Sequence, residues 1–119
     1  MPWGYFQRTG DIVHNGEYVG NGYSGYGGYC NRADFEHVQD QGPIPRGWYT
    51  IGHARKSPRL GSYSMNLTPV VHNAHGRTLF RIHGDSRAHP GGASTGCIIL
   101  SLEIRKQIAN SGDIDLQVI

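Results

Sequence analysis

Arg77-Thr78-Leu79-Phe80-Arg81-Ile82-His83-Gly84 leads through a glycine-bearing loop to Gly92-Ala93-Ser94-Thr95-Gly96-Cys97-Ile98-Ile99-Leu100, and the reading of the 119-residue chain turns on this stretch. Residues 77–83 alternate. Thr78, Phe80 and Ile82 share one side and Leu79, with Arg81, the other, which is the period of a β-strand. Gly84 to Gly96 shows no hydrophobic period and carries Pro90, Gly91 and Gly92. A loop of that length in so small a chain is commonly functional or mobile. Beyond it, Ile98, Leu102, Ile104 or Arg105, and Ile108 recur at helical spacing, so 98–110 reads as a helix. Ser101 offers an N-cap for a slightly later start, and Gly112 a C-terminal stop. Ile114–Ile119 alternates as a closing strand.

Upstream, turn chemistry separates short strands. Tyr5–Arg8 and Asp11–His14 flank Thr9-Gly10, and Asp11–His14 and Glu17–Gly20 flank Asn15-Gly16, the strongest two-residue hairpin signal. The run Gly20 to Tyr29 is too glycine-rich for a regular strand. It reads as a loop whose tyrosines either anchor it or rim a site for a sugar or peptide. Gly42-Pro43-Ile44-Pro45-Arg46-Gly47 is a rigid turn, because both prolines fix φ and remove donors. Trp48–Ile51 follows as a strand, Arg55–Arg59 as a basic loop containing Pro58, Tyr63–Leu67 as a strand and His72–Gly76 as a turn. There is no repeat and no linker. The expectation is one domain over residues 1–119, mainly β, with one α-helix packed near the C-terminus.

Composition agrees: 18 Gly and 7 Tyr point to many turns between short strands rather than a helical bundle. The net charge is +2, and the Lys and Arg residues are scattered instead of forming a stripe, which argues against a nucleic-acid partner. No run of about 18 apolar residues is present, so no membrane-spanning helix is expected. Residues 1–10 lack the apolar core of a signal peptide. The expected itinerary is therefore synthesis in a cytoplasm and export by another route. Cys30 and Cys97 are too few for a disulfide framework, and a single bridge between them depends on geometry that spacing does not reveal.

Cys97 stands where the loop meets the expected helix. A thiol there feels the positive end of the helix dipole, which favours thiolate. Small neighbours admit a substrate carbonyl, and backbone N–H groups around Gly96 and Cys97 are placed to hold an oxyanion. The competing reading is an ordinary buried cysteine. His83, fourteen residues earlier, ends a strand and enters the same loop. A cysteine nucleophile needs such a base, and the base needs a group to orient it. The histidine-rich stretch His72, His75, His83, Asp85, His89 raises zinc chemistry. The spacing of His72 and His75 suits neither a helical HExxH nor a strand H-x-H pattern, so no metal is expected. A papain-like wall amidase is also disfavoured, because its cysteine precedes its histidine, whereas every histidine here lies upstream of Cys97.

His83-Gly84 followed by Ser94-Thr95-Gly96-Cys97-Ile98 resembles the signature of the L,D-transpeptidase (YkuD-like) catalytic domain. The run Pro43-Ile44-Pro45-Arg46-Gly47-Trp48-Tyr49 looks like that family's second hallmark. Within the superfamily, Gly22-Tyr23-Ser24-Gly25, the Gly-Pro-Ile-Pro run and Phe80-Arg81-Ile82-His83-Gly84-Asp85 are most similar to the Tlde1 group of type VI secretion effectors. The resemblance implies a β-sandwich and cysteine acyl transfer on peptidoglycan stem peptides, with no cofactor. It also implies delivery to a neighbour's periplasm and an immunity protein in the producing cell. Carried over residue by residue, Cys97 is the nucleophile, His83 the base and Gly84 the residue whose carbonyl orients it. Ser94, Thr95 and Gly96 shape the oxyanion loop. Asp85, Ser86, Arg87, Tyr23 and Ser24 are candidate substrate contacts. Thr95 and Ile99 depart from the His and the Arg or Asn of many housekeeping relatives, which puts cross-linking in doubt more than activity itself. Two alternatives remain: a phage or bacterial lytic enzyme cutting another stem-peptide bond, and a non-catalytic wall-binding module carried by the tyrosine loop.

Overall fold

A computed structural model describes residues 2–57 and 61–119. Ten strands and one helix follow in chain order: β1 (Trp3–Tyr5), β2 (Asp11–His14), β3 (Glu17–Asn21), β4 (Tyr23–Ser24), β5 (Gly47–Ile51), β6 (Arg55–Ser57), β7 (Gly61–Val70), β8 (Phe80–His83), β9 (Ile98–Ile99), α1 (Leu102–Ser111) and β10 (Asp115–Val118). The expected mainly-β chain with one helix is what is found. The strands join in one continuous open sheet, in the order β3-β2-β1-β10-β5-β7-β8-β9-β4 with β6 added to β7. Inward residues from along its whole length, among them Tyr5, Ile12, Tyr49, Met65, Phe80, Ile82, Ile98 and Leu116, meet in one hydrophobic cluster.

Local chemistry explains where the expected elements shift. The β2–β3 hairpin turns on Asn15 and Gly16, at φ 54° and 80°, as a two-residue turn with both central residues left-handed requires. β1 starts two residues earlier than expected, because Phe6 to Gly10 is a turn closed by the Gly10 N–H on the Phe6 carbonyl at 2.7 Å. β8 begins only at Phe80, since Leu79 sits at φ 66° and breaks the extended chain. Part of the expected basic loop is strand β6, paired with β7; its Pro58–Arg59 end lies outside the described residues.

The site is shaped where two segments depart from the expected elements. The glycine–tyrosine run is not all loop, since Tyr23 and Ser24 pair with Ile99 and Ile98. Gly22 permits that approach, because a Cβ there would fall 2.0 Å from the Ile99 carbonyl oxygen. The helix does not start at Ile98. Ile98 and Ile99 are β-branched, nearly fully buried and paired on both sides, with β8 and β4, and this pairing outweighs the helical spacing. The helix starts at Leu102, with the Ser101 hydroxyl accepting from the Ile104 N–H, and stops at Gly112, φ 77°. It lies over the sheet on Ile104, Arg105 and Ile108.

Candidate active site

β8 and β9 run parallel, with Ile82 opposite Ile98 and His83 opposite Ile99. The Leu100 N–H bonds the His83 carbonyl at 3.1 Å, so strand pairing closes the fourteen-residue gap between His83 and Cys97. Ile82 and Ile98 point into the core. By alternation, Arg81, His83 and Cys97 share the opposite face, and continuing the register by one residue sets Cys97 beside Arg81.

His83 is buried, with its Nδ1 2.8 Å from the Gly84 carbonyl oxygen. A carbonyl only accepts, so Nδ1 carries the hydrogen and Nε2 is the basic nitrogen of the neutral ring. Burial holds the imidazole below its usual pKa, and the charges of Arg105 and Arg81 push the same way against the Gly84 hydrogen bond. A neutral His83 is thus available as a base.

Cys97 is half-buried, and its thiol leans on the Leu79 carbonyl at 3.8 Å. Burial pushes the thiol up, opposed by the Arg81 backbone N–H and by the charges of Arg81 and Arg77. The expected helix-dipole assistance is absent, because α1 begins five residues further on. The thiol therefore rests protonated and depends on a base. Both cysteines are free, so no bridge joins Cys30 to Cys97. Cys97 opens onto a hollow of about 110 Å³ shared with Thr95, Gly96 and Phe80. His83 opens onto another, of about 520 Å³, with Gly84, Asp85, Ser86, Arg87 and Ala93. The two side chains share a sheet face but no common cavity.

The loop between them is held by its own polar groups. The fully buried Ser94 hydroxyl donates to the Cys97 carbonyl at 2.6 Å and accepts from the N–H groups of Gly25 (2.9 Å) and Gly96 (3.2 Å). The Gly96 N–H is thereby engaged inside the loop. Ser24, also fully buried, bonds the Ile44 N–H and the Gly96 carbonyl, so it braces the loop from behind rather than facing a ligand. Asp85 accepts from Tyr23 Oη at 2.6 Å and from the N–H groups of Ser86 and Gly91, while Tyr23 Oη accepts from the Ala93 N–H. Burial and the Asp85 carboxylate push the Tyr23 hydroxyl up to about 12. Tyr23, Asp85 and Ser86 thus spend polar groups on the loop, while Arg87 is exposed at the rim of the His83 hollow.

Composition gave no sign of Arg77, which reads as one more scattered cation. It is 4% exposed and donates to the carbonyls of Glu36, Pro43, Gly42 and Thr95 at 2.6–3.2 Å. It ties the proline-rich turn to the residue two before Cys97. Glu36 anchors the far side, accepting from Gln7, Arg46 and His75. Burial alone would raise its carboxyl, but those hydrogen bonds hold it at about 2. Arg105, from α1, packs against Gly84 and bonds the Leu100 and Ser62 carbonyls. Among the described residues no three His, Cys, Asp or Glu side chains gather to hold a metal, and His72 and His75 turn to the Trp48 carbonyl and to Glu36. Among the same residues no helix is long and apolar enough to cross a membrane.

A family model described as the Tlde1 domain matches residues 19–116. No curated protein matches the chain. Among solved structures, Bd1075 of Bdellovibrio bacteriovorus is similar over 99% of this chain and 46% of that one, with a TM-score of 0.63 and 14% identity. The chain thus spans a little under half the length of that protein, and at this identity the likeness is one of fold.

Proposed function

The chain belongs to the Tlde1 domain family, a family of type VI secretion effectors, and from that premise we propose that it is a cysteine enzyme acting on peptidoglycan stem peptides. The observation that carries the reading is His83: a buried, neutral imidazole whose Nδ1 is fixed by the Gly84 carbonyl, on the same sheet face as Cys97.

In the proposed reaction His83 Nε2 takes the Cys97 proton, and the sulfur attacks the carbonyl carbon of the third residue of a tetrapeptide stem. A carbon–sulfur bond forms and the carbon–nitrogen bond to the terminal D-Ala breaks. D-Ala leaves as the amine with the proton from His83. Water then attacks the thioester, giving its proton to His83 as the thiolate departs, and a tripeptide results. A free D-amino acid in place of water gives exchange. Either outcome depletes the tetrapeptide donors of a growing wall, as suits an antibacterial toxin reaching a target cell's periplasm and countered by an immunity protein at home.

Mass spectrometry of tetrapeptide muropeptides, incubated with wild type or Cys97→Ala and with or without D-Met, tests the reading. Loss of D-Ala, or its replacement by D-Met, is expected with wild type only. The separate hollows of Cys97 and His83 favour a second reading, a wall-binding module. It requires that folded Cys97→Ala keep all function and that wild type leave the muropeptides unchanged.

A further inference from the structure

We propose that Arg81 binds the terminal carboxylate of the substrate, so that the site selects stem peptides ending in a free α-carboxylate; the inference rests on the acyl-transfer reading above. Continuing the β8–β9 register by one residue sets Arg81 beside Cys97, and adjacent strands lie about 4.8 Å apart. In a tetrapeptide the terminal carboxylate carbon is separated from the scissile carbonyl carbon by one nitrogen and one α-carbon, roughly 3.5 Å. A substrate whose scissile carbonyl meets the Cys97 sulfur therefore brings its carboxylate to the neighbouring strand, at the level of Arg81.

The guanidinium has capacity for it. Its Nε donates to Asn66 Oδ1 at 3.0 Å, a neutral partner. Arg81 takes part in none of the ion pairs among the described residues, which use His14, Arg32, Arg46 and His75. Asn66 fixes Nε and leaves the Nη fork, whose parallel N–H groups match a carboxylate in bidentate geometry. Arg77, the other guanidinium near Cys97, is spent on four backbone carbonyls. Asn66 and Arg81 also line a groove of about 460 Å³, and Arg77, Thr78, Leu79 and Phe80 border both that groove and the Cys97 hollow, so the two lie side by side.

The test compares kcat/KM on a synthetic tetrapeptide stem and on its C-terminal carboxamide, for wild type, Arg81→Gln, Arg81→Lys and, as a control at an exposed arginine away from both hollows, Arg8→Gln. Wild type is expected to favour the free acid by about ten- to a hundredfold, the size of a charge-assisted hydrogen bond. Arg81→Gln should bring acid and amide to similar rates, Arg81→Lys should keep part of the preference, and Arg8→Gln should keep all of it. A purely electrostatic effect of Arg81 on the thiol would slow both substrates equally. An unchanged ratio in Arg81→Gln overturns the proposal, as does a ratio near one in wild type, which decides the matter even if Arg81→Gln fails to fold. Wild type cleaving acid and amide alike sinks the carboxylate site and leaves the acyl-transfer reading standing. Wild type inert on both, with no tetrapeptide bound by Cys97→Ala, sinks the two together.

Discussion

The hydroxyl of Ser94 donates to the carbonyl of Cys97 at 2.6 Å while accepting from the N–H of Gly25, so one buried oxygen couples the Cys97 backbone to the turn after β4. Replacing it strands several polar groups at once. Ser94→Ala is expected to cost about 1–3 kcal/mol, the penalty for leaving a buried donor or acceptor unpaired. Chemical denaturation measures that loss. Muropeptide turnover should fall by more than the unfolded fraction accounts for, because the position of Cys97 is disturbed.

Gly96 sits at φ 138°, and a Cβ there would lie 2.5 Å from Arg77 Nη2. Gly96→Ala therefore combines backbone strain with a clash against a buried guanidinium, about 1–3 kcal/mol from strain alone. A thermal melt should show a lowered midpoint. If the melt is unchanged, the Arg77 clamp is not as rigid as its four carbonyl contacts imply.

His83→Ala should lower kcat by about 10²–10⁴-fold, the usual contribution of a positioned acid–base group, with little change in the melt. The same variant should slow iodoacetamide labelling of Cys97 at neutral pH and leave unaffected Cys30, whose thiol is raised by burial against a backbone hydrogen bond at Ser24. Equal labelling of Cys97 in both proteins would remove His83 from its role.

The pH dependence has a definite sign. His83 is held below its usual value of 6.5 in the fold, so between the two values the unfolded chain binds more protons. Stability should fall as pH drops through that window, and kcat/KM should lose its acid limb below 6.5 rather than at it. Glu36 acts in a lower window. Its carboxyl titrates at about 2 against 4.5 unfolded, so its contribution is complete above 4.5 and is lost as pH falls towards 2. Glu36→Gln should flatten the stability profile between those limits, measured by denaturation at stepped pH.

Much of the molecule is legible in one dimension because its cause is local. Asn15-Gly16 dictates a hairpin, Ser101 and Gly112 bracket a helix, and the alternation of Phe80 and Ile82 sets a buried face whatever surrounds them. The spacing of His83 and Cys97 around a glycine-bearing loop likewise nominates both residues, since the chemistry of a thiol and its base depends on residue type.

What the amino-acid sequence determined by itself was therefore the mainly-β class, the turns, the single helix and the nomination of Cys97 and His83. The tertiary structure decided the rest. Ile98 and Ile99 carry a helical spacing, yet they are strand because β8 and β4 offer hydrogen bonds on both sides. Arg77 looks like any surface cation until Gly42, Pro43 and Thr95 present their carbonyls to it. Ser24 looks like a ligand contact until the fold buries its oxygen against the Ile44 N–H and the Gly96 carbonyl. In each case the deciding partner lies far away in sequence, and hydrogen bonding and burial, unlike turn propensity, take their value from partners that only the folded chain brings near.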